Sequence, residues 1–248
     1  MLYILSSGNP FISAYLQSDW FGKGIFWGLF ILSGISWTVL IHKGWVLFQV
    51  GRLSNEFISL FSEKEPLNLQ FSRPMKGRLL EIPHPFFEIY KSFKVKALAI
   101  ISRNHFFSPG QVTFSPLDLD FLESEMHVAM GMQMKKLEKH LFILPTVVTL
   151  GPFVGLLGTV WGILLSFSQI QGKGLGADGM LSGLSLALAA TVIGLVVAIP
   201  ALIGNNYFKN ALRNQRRELE DFSHLLLSSI ELHYQKGDHA AKTVVTHS

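Results

Sequence analysis

Two hydroxyls stand among small residues in long uncharged stretches of this chain. Thr159 lies four residues after Gly155 and three before Gly162, and Thr191 lies four after Ala187 and three before Gly194. Steps of three and four place each threonine on the helical face of its small neighbours. Ser166 follows Thr159 by one further helical repeat, and Ser185 precedes Thr191. A hydroxyl in an apolar helix has two uses. It can donate to a carbonyl of the preceding turn, which is purely structural, or it can line a path containing water. In the second role it relays or orients water but holds no proton charge at neutral pH, because it does not titrate near 7. Proton chemistry at these positions therefore needs a carboxylate from another chain, since the uncharged stretches supply none.

Other chemistry is hard to find. Nine histidines are scattered, and His84, His105, His127 and His140 form no HxxxH or HExxH pattern. Each reads as a solvated or structural histidine. Asp118, Asp120, Glu123 and Glu125 lack metal-ligand spacing and read as the polar face and first turn of a helix. Gly22-Lys23-Gly24 and Gly172-Lys173-Gly174 are fragments of a phosphate loop without its full spacing. With no cysteine there is no disulfide framework and no thiol chemistry. The expectation is a protein that is not an enzyme, with no catalytic residue, metal or cofactor.

The elements that position the hydroxyls are membrane spans. Leu141–Gly172 and Gly179–Phe208 carry no charge, and an 18-residue run, Gly24–Ile41, is also uncharged. About 20 apolar residues of helix cross a bilayer core, and charge is costly at that depth. Charged residues are only 15% of the chain against 49% hydrophobic, below the roughly 25% charged of a soluble domain. Of 21 Lys and Arg, 13 lie between Ile41 and Leu141 and six follow Phe208. Cytoplasmic segments keep positive charge, so the net charge of +4 reports topology and gives no reason to expect a nucleic-acid partner. The expected fold is an all-α integral membrane protein with three transmembrane helices, the N-terminus outside and long cytoplasmic helical extensions. Its segments are a periplasmic interfacial piece at 1–23, where Phe11, Tyr15, Trp20 and Phe21 would lie on the outer leaflet, and a first span at 24–41. A cytoplasmic helical domain follows at 42–140, then a second span at 141–170, a periplasmic turn at 171–180, a third span at 181–204 and a cytoplasmic helical tail at 205–248. The first residues have no basic n-region and no small-residue cleavage site, so they do not read as a cleaved signal peptide.

Within the cytoplasmic part, Leu47, Val50, Leu53, Phe57 and Leu60 recur at helical steps. Four prolines and Gly77 between residues 66 and 85 read as loop, and Phe86–Phe107 reads as helix. Ser115-Pro116-Leu117-Asp118 is a helix start, with a serine cap, proline at the first position and an acid in the first turn. No breaker follows before Pro145, which predicts one helix running into the second span. The third span likewise continues into the tail, where Leu212, Leu219, Phe222, Leu226 and Ile230 share a face. After Gln235 the end is polar and reads as disordered.

Gly151, Gly155, Gly158 and Gly162 fall on one face of the second span, and Gly183, Ala187, Ala190, Gly194, Ala198 and Ala201 form a similar stripe on the third. Small residues let helices in lipid approach closely. The stripes mark packing surfaces, either between these two spans or with another chain.

The run from Gly151-Pro152-Phe153 through Gly155, Gly158-Thr159-Val160-Trp161 and Gly162-Ile163 resembles the second-span pattern of the MotA/TolQ/ExbB proton-channel family. Leu186-Ala187-Leu188-Ala189-Ala190-Thr191-Val192-Ile193-Gly194-Leu195, followed by Val197-Ala198-Ile199-Pro200-Ala201, resembles its third-span pattern. Ser36-Trp37-Thr38-Val39-Leu40-Ile41 looks somewhat more like TolQ than ExbB. The resemblance implies a multi-pass protein of the inner membrane that couples the proton motive force to outer-membrane work or transport, of Tol-Pal or TonB type. It implies five copies around the single spans of TolR- or ExbD-like partners, one of whose aspartates titrates, and a TolA- or TonB-like effector. It also implies that Thr159 and Thr191 face the pore, with Ser166 and Ser185 as helpers; Gly151, Pro152, Gly155, Gly158, Gly162, Gly183, Ala187 and Gly194 read as helix-packing positions, and membrane lipid surrounds the spans.

One position departs from the family. Where a glutamate is common, five residues before the third-span threonine, this chain has Leu186. That departure keeps a second reading open, a non-conducting scaffold of the same fold. A transporter permease subunit is a third, and it would need a cytoplasmic docking surface and a substrate cavity that the sequence does not display.

Overall fold

The computed structural model describes residues 10–62, 84–107, 114–172 and 177–245, with side chains given to residue 231 in the last helix. Among the described residues six helices follow one another: α1 (Pro10–Gln17), α2 (Trp20–Ser62), α3 (Pro85–Phe107), α4 (Pro116–Glu138), α5 (Ile143–Gly172) and α6 (Ala177–Val245). Among the described residues three stretches of helix, within Trp20–Ile58, Pro116–Ile170 and Met180–Glu231, are long and apolar enough to cross a membrane. Residues 66–83 of the expected loop lie outside the described residues, as do residues 173–176 of the turn expected at 171–180 and the side chains of the polar end, while residues 171–172 and 177–180 are helical.

The chain divides into two units. The first comprises residues 1–44 and 140–209, the second residues 45–139 and 210–248. In the first unit α5 and α6 form an antiparallel hairpin along the small-residue stripes. Gly151 faces the backbone oxygen of Gly194, Gly155 faces Ala190 and Thr191, Gly158 faces Ala190, and Gly162 faces Gly183 and Ala187. A methyl group added at Gly162 would stand 2.5 Å from the Gly183 carbonyl oxygen and 2.8 Å from the Ala187 nitrogen. The two stripes therefore pack on each other within one chain, the first of the two alternatives the sequence left open. Ile25, Phe26 and Leu29 of α2 bury against Leu186, Ala189 and Ala190 of α6. Further along, Leu40 meets Gly204, and Gly44 lies near Phe208, so α2 and α6 run parallel. Apolar side chains also cover the outside, with Phe30, Phe153, Val196 and Ile203 all more than 60% exposed. A helix apolar on every side belongs in lipid or in a larger core.

In the second unit the sequence-read bounds of α3 hold to within one residue, and so does the start of α4. Ser115 caps α4 in a reciprocal capping box with Asp118, and Pro116 occupies the first turn. Four aromatic residues knit this unit together. Phe57 of α2 lies 5.8 Å from Phe222 of α6 and 6.1 Å from Tyr90 of α3, and Phe86 lies 5.3 Å from Phe222.

One expectation is overturned. The helix that starts at Pro116 stops at Glu138 and does not continue into the second span. His140 adopts a left-handed conformation with φ 65, and α5 begins at Ile143. The physical reason is Pro145. In a continuous helix its ring would clash with the Leu141 carbonyl and it would offer no N–H. A fresh start at Ile143 places Pro145 in the first turn, where no intrahelical partner is needed. The residue in the left-handed position is histidine, one of the few non-glycine types enriched there.

Candidate functional site

The candidate residues lie on the α5–α6 hairpin. Gly155 stands against the backbone of Thr191 and Gly158 against Ala190, so in this antiparallel pair Thr191 is level with Gly155, about one helical turn from Thr159. The two threonines are half-buried. The Thr159 hydroxyl donates to the Leu156 carbonyl at 2.7 Å, and that of Thr191 donates to the Ala187 carbonyl at 3.4 Å. Both threonines thus already make the local bond of the structural role. Each hydroxyl oxygen keeps its acceptor capacity, so the local bond is compatible with holding water.

The serines separate. Ser185 is exposed on α6, whereas Ser166 is buried. Its hydroxyl donates to Gly162 at 3.0 Å and across the hairpin to the Met180 carbonyl at 3.2 Å, and it packs onto Gly183. Ser166 is placed as a tie between the two spans, while Thr159, Thr191 and Ser185 reach the hairpin's surface.

Leu186 is 1% exposed, enclosed by Ala14 of α1, Phe26 of α2, Trp161 and Leu165 of α5, and Ala189. An ionised carboxylate there would be stripped of water on an apolar site, at a cost of several kcal/mol. The leucine suits this pocket, and it lies away from the half-exposed threonines.

Two polar features escape a reading of the sequence. The Asp19 carboxylate, just ahead of α2, accepts the Trp161 indole N–H at 3.2 Å and the Gly22 backbone N–H at 2.9 Å. Asn205 and Lys43 are also buried in this unit, although Asn205 stands in an uncharged run that reads as membrane. The Asn205-Asn206 pair is the available signal for the second feature. For the first there is none, because Asp19 and Trp161 are 142 residues apart. Among the described residues no group of three or more His, Asp or Glu is placed to hold a metal ion.

Comparison with known proteins bears on the same segment. The MotA/TolQ/ExbB proton channel family matches residues 101–221, which contain α5 and the part of α6 that packs on it. The chain is 46% identical over 87 residues to the biopolymer transport protein ExbB of Aquifex aeolicus, covering 35% of this chain and 59% of that protein. It is 30% identical over 237 residues to ExbB of Pseudomonas putida, covering 93% of this chain and 67% of the relative. To the Tol-Pal system protein TolQ of Haemophilus influenzae it is 28% identical over 189 residues, covering 72% and 75%.

Proposed function

The chain belongs to the MotA/TolQ/ExbB proton channel family, and on that premise we propose that it is the proton-channel subunit of an inner-membrane energy-transducing complex of Tol-Pal or TonB type. Five copies assemble around the single spans of a TolR- or ExbD-like partner, whose aspartate supplies the titrating group. A TolA- or TonB-like effector carries the motion to the outer membrane.

The observation that supports this reading is that Thr159 and Thr191 lie within about one turn of each other on the hairpin, both half-buried. Their hydroxyls are part-exposed in a wall that is otherwise apolar, opposite which a partner carboxylate alternates between two environments. Facing the apolar wall, its charged form is penalised by desolvation. Facing the hydroxyls and their water, the charged form is favoured. That alternation couples proton uptake to movement of the partner. With Leu186 sealed among apolar side chains, the acid of the cycle comes from the partner.

The test is proton flux. The chain, co-purified with its single-span partner and placed in liposomes, admits protons under an imposed gradient, and replacing the partner's intramembrane aspartate with asparagine stops the flow. The scaffold reading, which the apolar Leu186 favours, predicts no flux from either complex.

A further inference from the structure

We propose that Asp19 is a positioning residue, which holds the indole of Trp161 and so sets the rotation of α5 that aims Thr159 away from α2. The proposal rests on the reading that Thr159 serves the proton path.

The geometry runs from one end of α2 to the middle of α5. Asp19 precedes the first residue of α2, and its carboxylate accepts the backbone N–H of Gly22 at 2.9 Å while its own carbonyl accepts that of Lys23 at 3.0 Å. The side chain is thereby fixed at the helix head as an N-cap. Gly22 keeps the approach open, since a methyl group there would stand 3.0 Å from both Asp19 Oδ1 and Leu186 Cδ2. Both carboxylate oxygens lie 3.2 Å from Trp161 Nε1. The indole is also held by packing, with the Phe21 ring 4.4 Å away at a tilt of 50° and the cluster of Ala14, Phe26, Leu186 and Ala189 against it. Among the described residues of this unit, Asp19 is the sole carboxylate whose side chain is described.

Successive residues of an α-helix are turned by about 100°, so Thr159 points roughly 200° around α5 from Trp161, almost opposite it. A tryptophan pinned to the head of α2 therefore turns Thr159 to the far side, where it is half-exposed. The glycine face of α5 cannot fix that rotation by itself. Its glycine contacts with α6 are made largely by backbone and methyl groups, and the directed bond across the hairpin, from Ser166 to the Met180 carbonyl, lies towards the turn, away from Trp161. At Trp161 a directed hydrogen bond to a charged acceptor supplies the angular setting.

The experiment uses the full chain with its partner in liposomes, after assembly of each variant is verified by native sizing. D19A is expected to lower proton flux by about tenfold or more, since small misplacements of an active group cost that much. D19N keeps an acceptor oxygen for both N–H groups and restores most of the flux. W161F, which keeps a ring but loses the donor, falls with D19A. In the background of T159V, D19A causes no further loss, because both act through one hydroxyl. Independent, multiplying losses would overturn the proposal, as would unchanged flux in D19A or failure of D19N to restore it. If D19A does not assemble, W161F and D19N still decide, the first by losing flux and the second by keeping it. A wild-type complex without proton flux would defeat the functional reading itself, whereas a conducting wild type with an indifferent D19A defeats this inference alone.

Discussion

His84 stands immediately ahead of α3 with its ring 5.6 Å from Phe57 and 6.0 Å from Phe87, and its Nδ1 accepts the Phe87 N–H at 3.3 Å. Burial pushes its pKa below the usual 6.5, against the backbone bond and the opposing pull of Glu56 and Glu88. The unfolded chain therefore binds a proton more readily than the folded one. Stability is full above the unfolded value and declines as pH falls below about 6.5. Urea unfolding of the detergent-solubilised chain between pH 7.5 and 5.5 should show this loss. His84→Asn, which keeps a capping acceptor, should flatten the profile, and an unchanged slope would contradict the assignment. Asp118 behaves in the opposite sense. Burial works against its charged form, but the Ser115 N–H, Asn104 and Arg103 together hold its carboxyl below the ordinary range. Its stabilising effect persists above about pH 4 and is lost only in stronger acid. Asp118→Ala should cost about 1–2 kcal/mol at neutral pH by removing one half of a capping box and leaving Arg103 without its partner, read as a lower unfolding midpoint. The Ser115-Pro116-Asp118 cap is legible in the sequence because all its parts lie within four residues. The bond from Trp161 to Asp19 is not, because no local pattern reports a contact made only when two distant helices pack.

At the scale of elements, periodicity and caps carry most of the fold. The bounds of α3, the start of α4 and the continuity of α6 from the third span into the tail all follow from apolar spacing and the placement of proline. The break between α4 and α5 is harder to read, because a proline both ends one helix and suits the first turn of another. Pro145 takes the second role, within the opening turn of α5. Replacing His140 with glycine should be neutral or stabilise slightly, since glycine enters the left-handed region freely. His140→Val should cost about 1–2 kcal/mol in unfolding free energy. The glycine stripes are legible as packing surfaces, but their partner is not, because a small-residue face suits a neighbour in the same chain or another. With the partner assigned to the same chain, Gly162→Ala and Gly158→Leu should both loosen the hairpin. Overpacking of this kind commonly costs about 1–3 kcal/mol, and here the obstructing atoms at Gly162 are backbone. Thermal unfolding in detergent should show both variants less stable than Gly24→Ala, where nothing lies within 4 Å.

For the whole molecule, the charge pattern carries the topology. With 13 basic residues between the first two spans and six after the third, both segments should face the cytoplasm. The chain has no cysteine, so single introduced thiols report cleanly. A cysteine at Gly176 should react with an impermeant reagent from the periplasmic side and one at Gly77 should not; the reverse would invert the topology. The central claim, that hydroxyls of this chain and a carboxylate of the partner together carry the proton, is tested most directly by proton flux through the reconstituted complex with both threonines changed to valine. Thr159→Val with Thr191→Val keeps side-chain shape and removes only the hydroxyls, so the complex should assemble at normal yield while flux falls by about tenfold or more, a loss equivalent to about 1.4 kcal/mol. Full flux through the doubly substituted complex would contradict the account.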